Sequence, residues 1–140
     1  MAEPYDLQGH LQNSFFIPET ILVVLLGMTN YDSVTNNGEQ AFEDVSEARE
    51  TCQEVKDYLN NFGVQLQNIF ELYDPTEQAV KETYEKVSDL ITYGKVKKQP
   101  AEKFLLVHCF VGHGTMIEGA HHVFLNQANS EANFYRTFPG

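Results

Sequence analysis

The sequence predicts an α/β fold: a mostly parallel sheet with helices on both faces. Two short runs, Thr20 to Met28 (TILVVLLGM) and Phe104 to Phe110 (FLLVHCF), are dense in leucine and β-branched side chains. Each is too short for a helix and too evenly apolar for a strand with one wet face, so both fit central strands covered on two sides. Between them lie two stretches with apolar residues three and four apart. The order strand, helix, strand, helix, strand calls for crossover connections and therefore a parallel sheet with helices outside it.

Taken in order, residues 1–18 form a polar lead-in segment punctuated by Pro4, Gly9 and Pro18, expected to pack only at Phe15, Phe16 and Ile17. Residues 19–140 form the domain. Thr29 to Gln40 (TNYDSVTNNGEQ) is a loop crowded with Asn, Asp, Ser and Gly. Phe42, Val45, Ala48, Cys52, Val55, Leu59 and Phe62 then fall on one stripe of a helix of about 20 residues, closed by Gly63. A second short strand covers Asn68 to Tyr73. Asp74, Pro75 and Glu77 supply the signals of a helix start: a capping carboxylate, a proline and a first-turn acid. Ala79, Val80, Tyr84, Val87, Leu90 and Ile91 form the inner face of that helix, and Gly94 with Lys95, Lys97, Lys98 and Pro100 ends it. Beyond Gly114, a turn over Thr115 to Gly119 and a strand over His122 to Leu125 form a small hairpin. Asn126 to Gly140 is polar, with Phe134, Tyr135 and Phe138.

The formal net charge is −11, and eight acids precede Arg49, the first lysine or arginine in the chain. Such a surface repels nucleic acid and anionic membrane and favours basic partners, although acidity also serves solubility alone. Two cysteines, Cys52 and Cys109, make no disulfide framework and point to a reducing, cytoplasmic compartment. The apolar run Ile21 to Met28 is far short of the ~20 residues of a membrane helix, and the acids before it do not make a signal peptide.

The chemistry concentrates at Glu102 to Gly114 (EKFLLVHCFVGHG), where a buried strand ends in Gly112, His113 and Gly114. A glycine-flanked imidazole at the C-terminal end of a parallel strand is exposed and orientable, as a general base must be. The Gly114 amide can donate to a developing oxyanion with no side chain in the way. The plainer alternative is a loop histidine after a core strand. Neither cysteine serves as its nucleophile: Cys109 lies four positions back on the same strand, about 13 Å away, and Cys52 sits on a helical apolar stripe. His108, Cys109, His113, His121 and His122 do not have the spacing of a closed zinc site, so no metal and no cofactor is expected.

Three stretches together resemble the N-terminal, large-subunit part of caspase-like cysteine peptidases, closer to metacaspases and paracaspases than to animal caspases. These are the first strand ILVVLLGMTNY with its loop, the helix FEDVSEARETCQEVKDYLNNFGV, and FLLVHCFVGHG, similar to the family's hydrophobic strand ending in (S/A)GHG. The resemblance covers about residues 20 to 138 and implies a caspase-like three-layer sandwich whose C-terminal part is missing. It implies that His113 is the catalytic base, that the Gly114 N–H donates to the oxyanion, and that Asp44 lines a pocket for a P1 arginine or lysine. Asp44 also has a simpler reading, as a charge complementing a helix N-terminus. Val111 departs from the family's small residue, and the family's Asp-x-Cys nucleophile strand lies beyond residue 140. That strand would pack beside Phe104 to Phe110, leaving the edge open to a C-terminal remainder or a second subunit. The expected function is a cysteine endopeptidase acting on protein or peptide substrates, inactive alone; the alternative is a non-catalytic caspase-like interaction or decoy module.

Overall fold

The computed structural model describes residues 18–93 and 104–126 and the backbone of the strand Phe134–Arg136. The lead-in before Pro18, the Gly94 to Pro100 helix end and most of the polar tail after Asn126 lie outside the described residues.

Three parallel strands form the central sheet: β1 (Ile21–Gly27), β4 (Ile69–Tyr73) and β5 (Leu105–Val111), in the order β4-β1-β5. All seven residues of β1 are buried, because it is paired on both edges and covered on both faces. The odd-numbered side chains Ile21, Val23 and Leu25 pack with Cys52, Val55 and Leu59 of helix α1 (Ala48–Asn61). The even-numbered Leu22 and Val24 pack with Tyr84, Val87, Leu90 and Ile91 of helix α2 (Glu77–Thr92). From β1 the chain crosses to β4 on one side and then returns past β1 to β5 on the other. Crossovers of one hand running in opposite directions place their helices on opposite faces, giving three layers.

Helix α1 is shorter than its apolar stripe predicts. Phe42 and Val45 keep the helical spacing but belong to the preceding loop, where the Val45 N–H donates to the Thr29 carbonyl at 3.0 Å. The end is as expected: Gly63 takes φ +103°, and the Gly63 and Val64 amides donate back to the Asn60 and Leu59 carbonyls. The start of α2 differs. Its cap is Thr76, whose hydroxyl accepts from the Ala79 N–H at 3.1 Å. The Asp74 carboxylate crosses instead to the loop after β1, accepting from the Thr29 N–H at 2.8 Å, the Asn30 N–H at 3.2 Å and the Thr29 hydroxyl.

A two-stranded hairpin, β2 (Thr35–Asn36) and β3 (Glu39–Gln40), turns through Asn37 and Gly38, both at positive φ. A separate antiparallel sheet stands beyond the C-terminal end of β5. It comprises β6 (Gly114–Ile117), β7 (Ala120–Phe124) and β8 (Phe134–Arg136), in that order. No described helix is long and apolar enough to cross a membrane.

Candidate active site

In an order β4-β1-β5 the order of strand addition reverses between β1 and β5, so the crevice outside their C-terminal ends is where an α/β sheet holds its ligands. The loop after β1 and the turn after β5 meet there, tied by the Met28 N–H donating to the Val111 carbonyl at 2.9 Å. Val111, the last residue of β5, pairs with Gly27 on β1.

Gly112 is required by crowding. A Cβ there would stand 2.6 Å from the Tyr31 hydroxyl, 2.7 Å from the Phe110 ring and 3.0 Å from Met28 Cβ. At Gly114 a Cβ would meet the His122 carbonyl oxygen at 2.8 Å. Between them, His113 sends its ring into a cluster of aromatic side chains. It stacks on Phe42 with centroids 5.2 Å apart and meets Tyr31 edge-on at 4.9 Å. Phe42 in turn packs on Phe124 at 4.7 Å.

The ring's hydrogen bond settles its tautomer. His113 Nε2 lies 2.8 Å from the Glu43 carbonyl oxygen, which can only accept, so Nε2 carries the proton. The lone pair is then on Nδ1, and neutral His113 is a proton acceptor there.

The main chain of the turn is held in an unusual way. His113 faces Phe124 across the β6–β7 ladder, and the Phe124 N–H donates to the His113 carbonyl at 2.9 Å. The return bond is not direct. The His113 N–H donates to the Tyr31 hydroxyl at 2.8 Å, and that hydroxyl donates to the Phe124 carbonyl at 3.1 Å. Burial pushes the Tyr31 phenol up to about 12, so it stays protonated and keeps its donor. Because 113 and 124 form a bonded pair, the adjacent pair Gly114 and Val123 is a non-bonded one. The Gly114 N–H is therefore turned away from β7 and not consumed by the ladder.

Asp44 lies in the loop ahead of α1, not at the helix N-terminus, so charge complementarity to that helix does not explain it. Its Oδ1 accepts from the Tyr31 N–H at 2.9 Å and from Gln40 Nε2 at 2.7 Å. The structure thus brings the predicted residues together: Glu43 holds the His113 ring, its neighbour Asp44 holds Tyr31, and Tyr31 holds the His113 main chain. Tyr31, Phe42, Glu43 and Phe124 were not singled out by sequence, although Asn-Gly in TNNGEQ signals the hairpin that folds this loop back.

Both thiols are unsuited to serve His113. Cys109 packs with the α1 layer, opposite the face that carries Leu106, His108 and Phe110. Burial raises its pKa, and it pushes the buried Cys52 thiol up to about 11.

A cavity of about 860 Å³ runs along the even-numbered face of β5, lined by Leu106, His108, Phe110, Gly112, Gly114 and the β6–β7 hairpin. His113 does not line it, since alternation along the extended backbone sends its ring the other way. Within the described sheet β5 is the outer strand, half-buried along all seven residues. Among the described residues, no three His, Cys, Asp or Glu side chains gather to hold a metal ion. No protein-family model matches this chain, and neither does any curated protein or solved structure.

Proposed function

We propose that this chain carries the base, the oxyanion donor and the specificity acid of a caspase-like cysteine endopeptidase that cleaves after arginine or lysine. The observation that carries the reading is the tautomer of His113. Nε2–H is anchored on the Glu43 carbonyl and Nδ1 holds the lone pair, with an unconsumed amide at the next residue.

The thiolate comes from outside Cys52 and Cys109, on a strand that pairs along β5, either from the same chain in nature or from a second subunit. His113 Nδ1 takes the proton of that thiol as the sulfur attacks the scissile carbonyl carbon. The Gly114 N–H donates to the oxygen as it becomes anionic. The imidazolium then protonates the leaving amine, and water, activated by the same Nδ1, releases the acyl group. Asp44 pairs with the P1 cation, a charge-assisted contact beside the base.

The test is turnover of peptidyl-arginine and peptidyl-lysine fluorogenic substrates by the natural protein with its subunits, against the His113→Ala variant. Loss of the base should lower kcat/KM by about 10² to 10⁴-fold. Equal turnover by the variant rules out the catalytic role. A second reading rests on the half-exposed β5 edge: a non-catalytic module that lends this edge to a caspase-like relative by strand addition. It predicts a stoichiometric complex and no turnover in the wild type.

A further inference from the structure

Tyr31 reaches from the loop after β1 into the backbone of the turn at His113. It is fully buried, and its hydroxyl stands inside the β6–β7 ladder as a relay, accepting from the His113 N–H and donating to the Phe124 carbonyl. Its ring meets the imidazole edge-on, and its own N–H donates to Asp44 Oδ1. One residue therefore touches the base through its phenol and the specificity acid through its main chain.

We propose that Tyr31 is a positioning residue: its phenol spaces β6 from β7 at His113, and so sets where Nδ1 and the Gly114 N–H stand relative to a substrate carbonyl. The kinetic part of this inference rests on the peptidase reading; the geometric part does not.

The physical argument is one of reach. An ordinary antiparallel pair exchanges two direct N–H···O bonds, which fix the strand separation. Inserting a hydroxyl between one donor and its acceptor holds the strands apart at that point, because the two bonds of the relay are 2.8 Å and 3.1 Å long. Removing the hydroxyl gives the His113 N–H and the Phe124 carbonyl a new option, closing on each other. That closure draws the His113 main chain toward β7 and so shifts it relative to the Glu43 carbonyl that orients the ring. Gly112, which admits no side chain beside the Tyr31 hydroxyl, keeps the space the relay occupies.

Tyr31→Phe tests this cleanly, because it deletes the relay and leaves the buried ring, the edge-on contact and the N–H on Asp44. The substrate's P1 contact is untouched while the base is displaced. The expected kinetic result, in the natural protein with its subunits, is a kcat lower by about 10 to 10²-fold, the scale of an ångström-sized misplacement, with KM within about threefold of the wild type. A purely structural hydroxyl would lower the melting temperature and leave kcat of the folded enzyme and the imidazole spectrum unchanged.

The second readout needs no turnover. In the ¹⁵N-labelled 140-residue chain, wild-type His113 shows the Nε2–H tautomer at neutral pH. In Tyr31→Phe, the His113 amide and both ring nitrogens shift. Should that variant fail to fold, 3-fluorotyrosine at position 31 makes a milder change: a fluorinated phenol accepts more weakly, so the His113 amide proton moves upfield. Unchanged His113 resonances in either substituted chain overturn the proposal. Shifted resonances in a wild-type chain that cleaves nothing would leave the positioning role standing and remove the peptidase reading instead.

Discussion

Gly112→Ala tests the packing of the turn at Gly112 to Gly114 without altering the His113 ring. The new methyl would stand 2.6 Å from the Tyr31 hydroxyl and 2.7 Å from the Phe110 ring tip, so both must move. The hydroxyl is held by two hydrogen bonds, and losing them costs about 1 kcal/mol each. Moving Phe110 adds an overpacking cost of about 1–3 kcal/mol, bringing the total to about 3–5 kcal/mol. At this chain length each kcal/mol lowers Tm by roughly 3 °C, so the variant should melt about 9–15 °C below the wild type. The control is Gly119→Ala in the β6–β7 turn, where φ is +80° and nothing lies within 4 Å of the added methyl. It bears only the left-handed backbone cost, about 1 kcal/mol. Both melts are followed by far-ultraviolet circular dichroism. If Gly112→Ala melts no lower than Gly119→Ala, the turn is not held in the way described.

Asp44→Asn keeps the acceptor for the Tyr31 N–H and removes the charge. It should lower kcat/KM for arginine and lysine substrates by about tenfold or more, mainly through KM, with little loss of Tm; equal values would remove Asp44 from the P1 pocket. Burial lowers the His108 pKa, so the folded state binds its proton less readily than the unfolded chain does. Stability from this group is complete above the ordinary histidine value and is lost as pH falls below it. The urea midpoint should fall on acidification from pH ~7 to ~5, and less so in His108→Gln. Cys52, pushed up to about 11, and Cys109, also raised, stay protonated at neutral pH and should react with iodoacetamide far more slowly in the folded chain than in urea. Rapid alkylation of either thiol in the native protein would show that it is not held in the α1 layer. Because the folded pKa of Cys52 exceeds its unfolded value, its stabilising effect is complete below pH ~9 and fades as pH rises toward ~11, so Tm should fall across that window.

The sheet was legible because two of its three strands, β1 and β5, are built from apolar runs that only a two-sided core can cover. The predicted Thr20 to Met28, Asn68 to Tyr73 and Phe104 to Phe110 became Ile21–Gly27, Ile69–Tyr73 and Leu105–Val111. The misplaced helix start has a physical cause. Phe42 and Val45 continue the apolar spacing of α1, yet they are half-buried by tertiary contact, Phe42 against His113 and Phe124. A period of three or four in a loop looks the same as a period in a helix. Asp74 misled in a similar way, since a carboxylate before Pro75 suits a cap, but its oxygens found the Thr29 and Asn30 amides across the sheet edge. His113 and Gly114 stood out through their flanking glycines. Tyr31 did not, because a tyrosine in a polar loop carries no local mark that its hydroxyl will enter a ladder formed by residues far along the chain.

The central place of β1 has a consequence for how the chain is made. The strand is made before either of its partners: Ile21 pairs with Leu105, and Val23 with Ile69 and Val107. Until β5 has been synthesised, one whole edge of ILVVLLG has no strand to pair with. Pairings so distant in sequence form slowly and leave nascent apolar segments exposed meanwhile. A chaperone that holds extended apolar peptide should therefore bind this nascent chain at residues 21–27 and release it once β5 has docked.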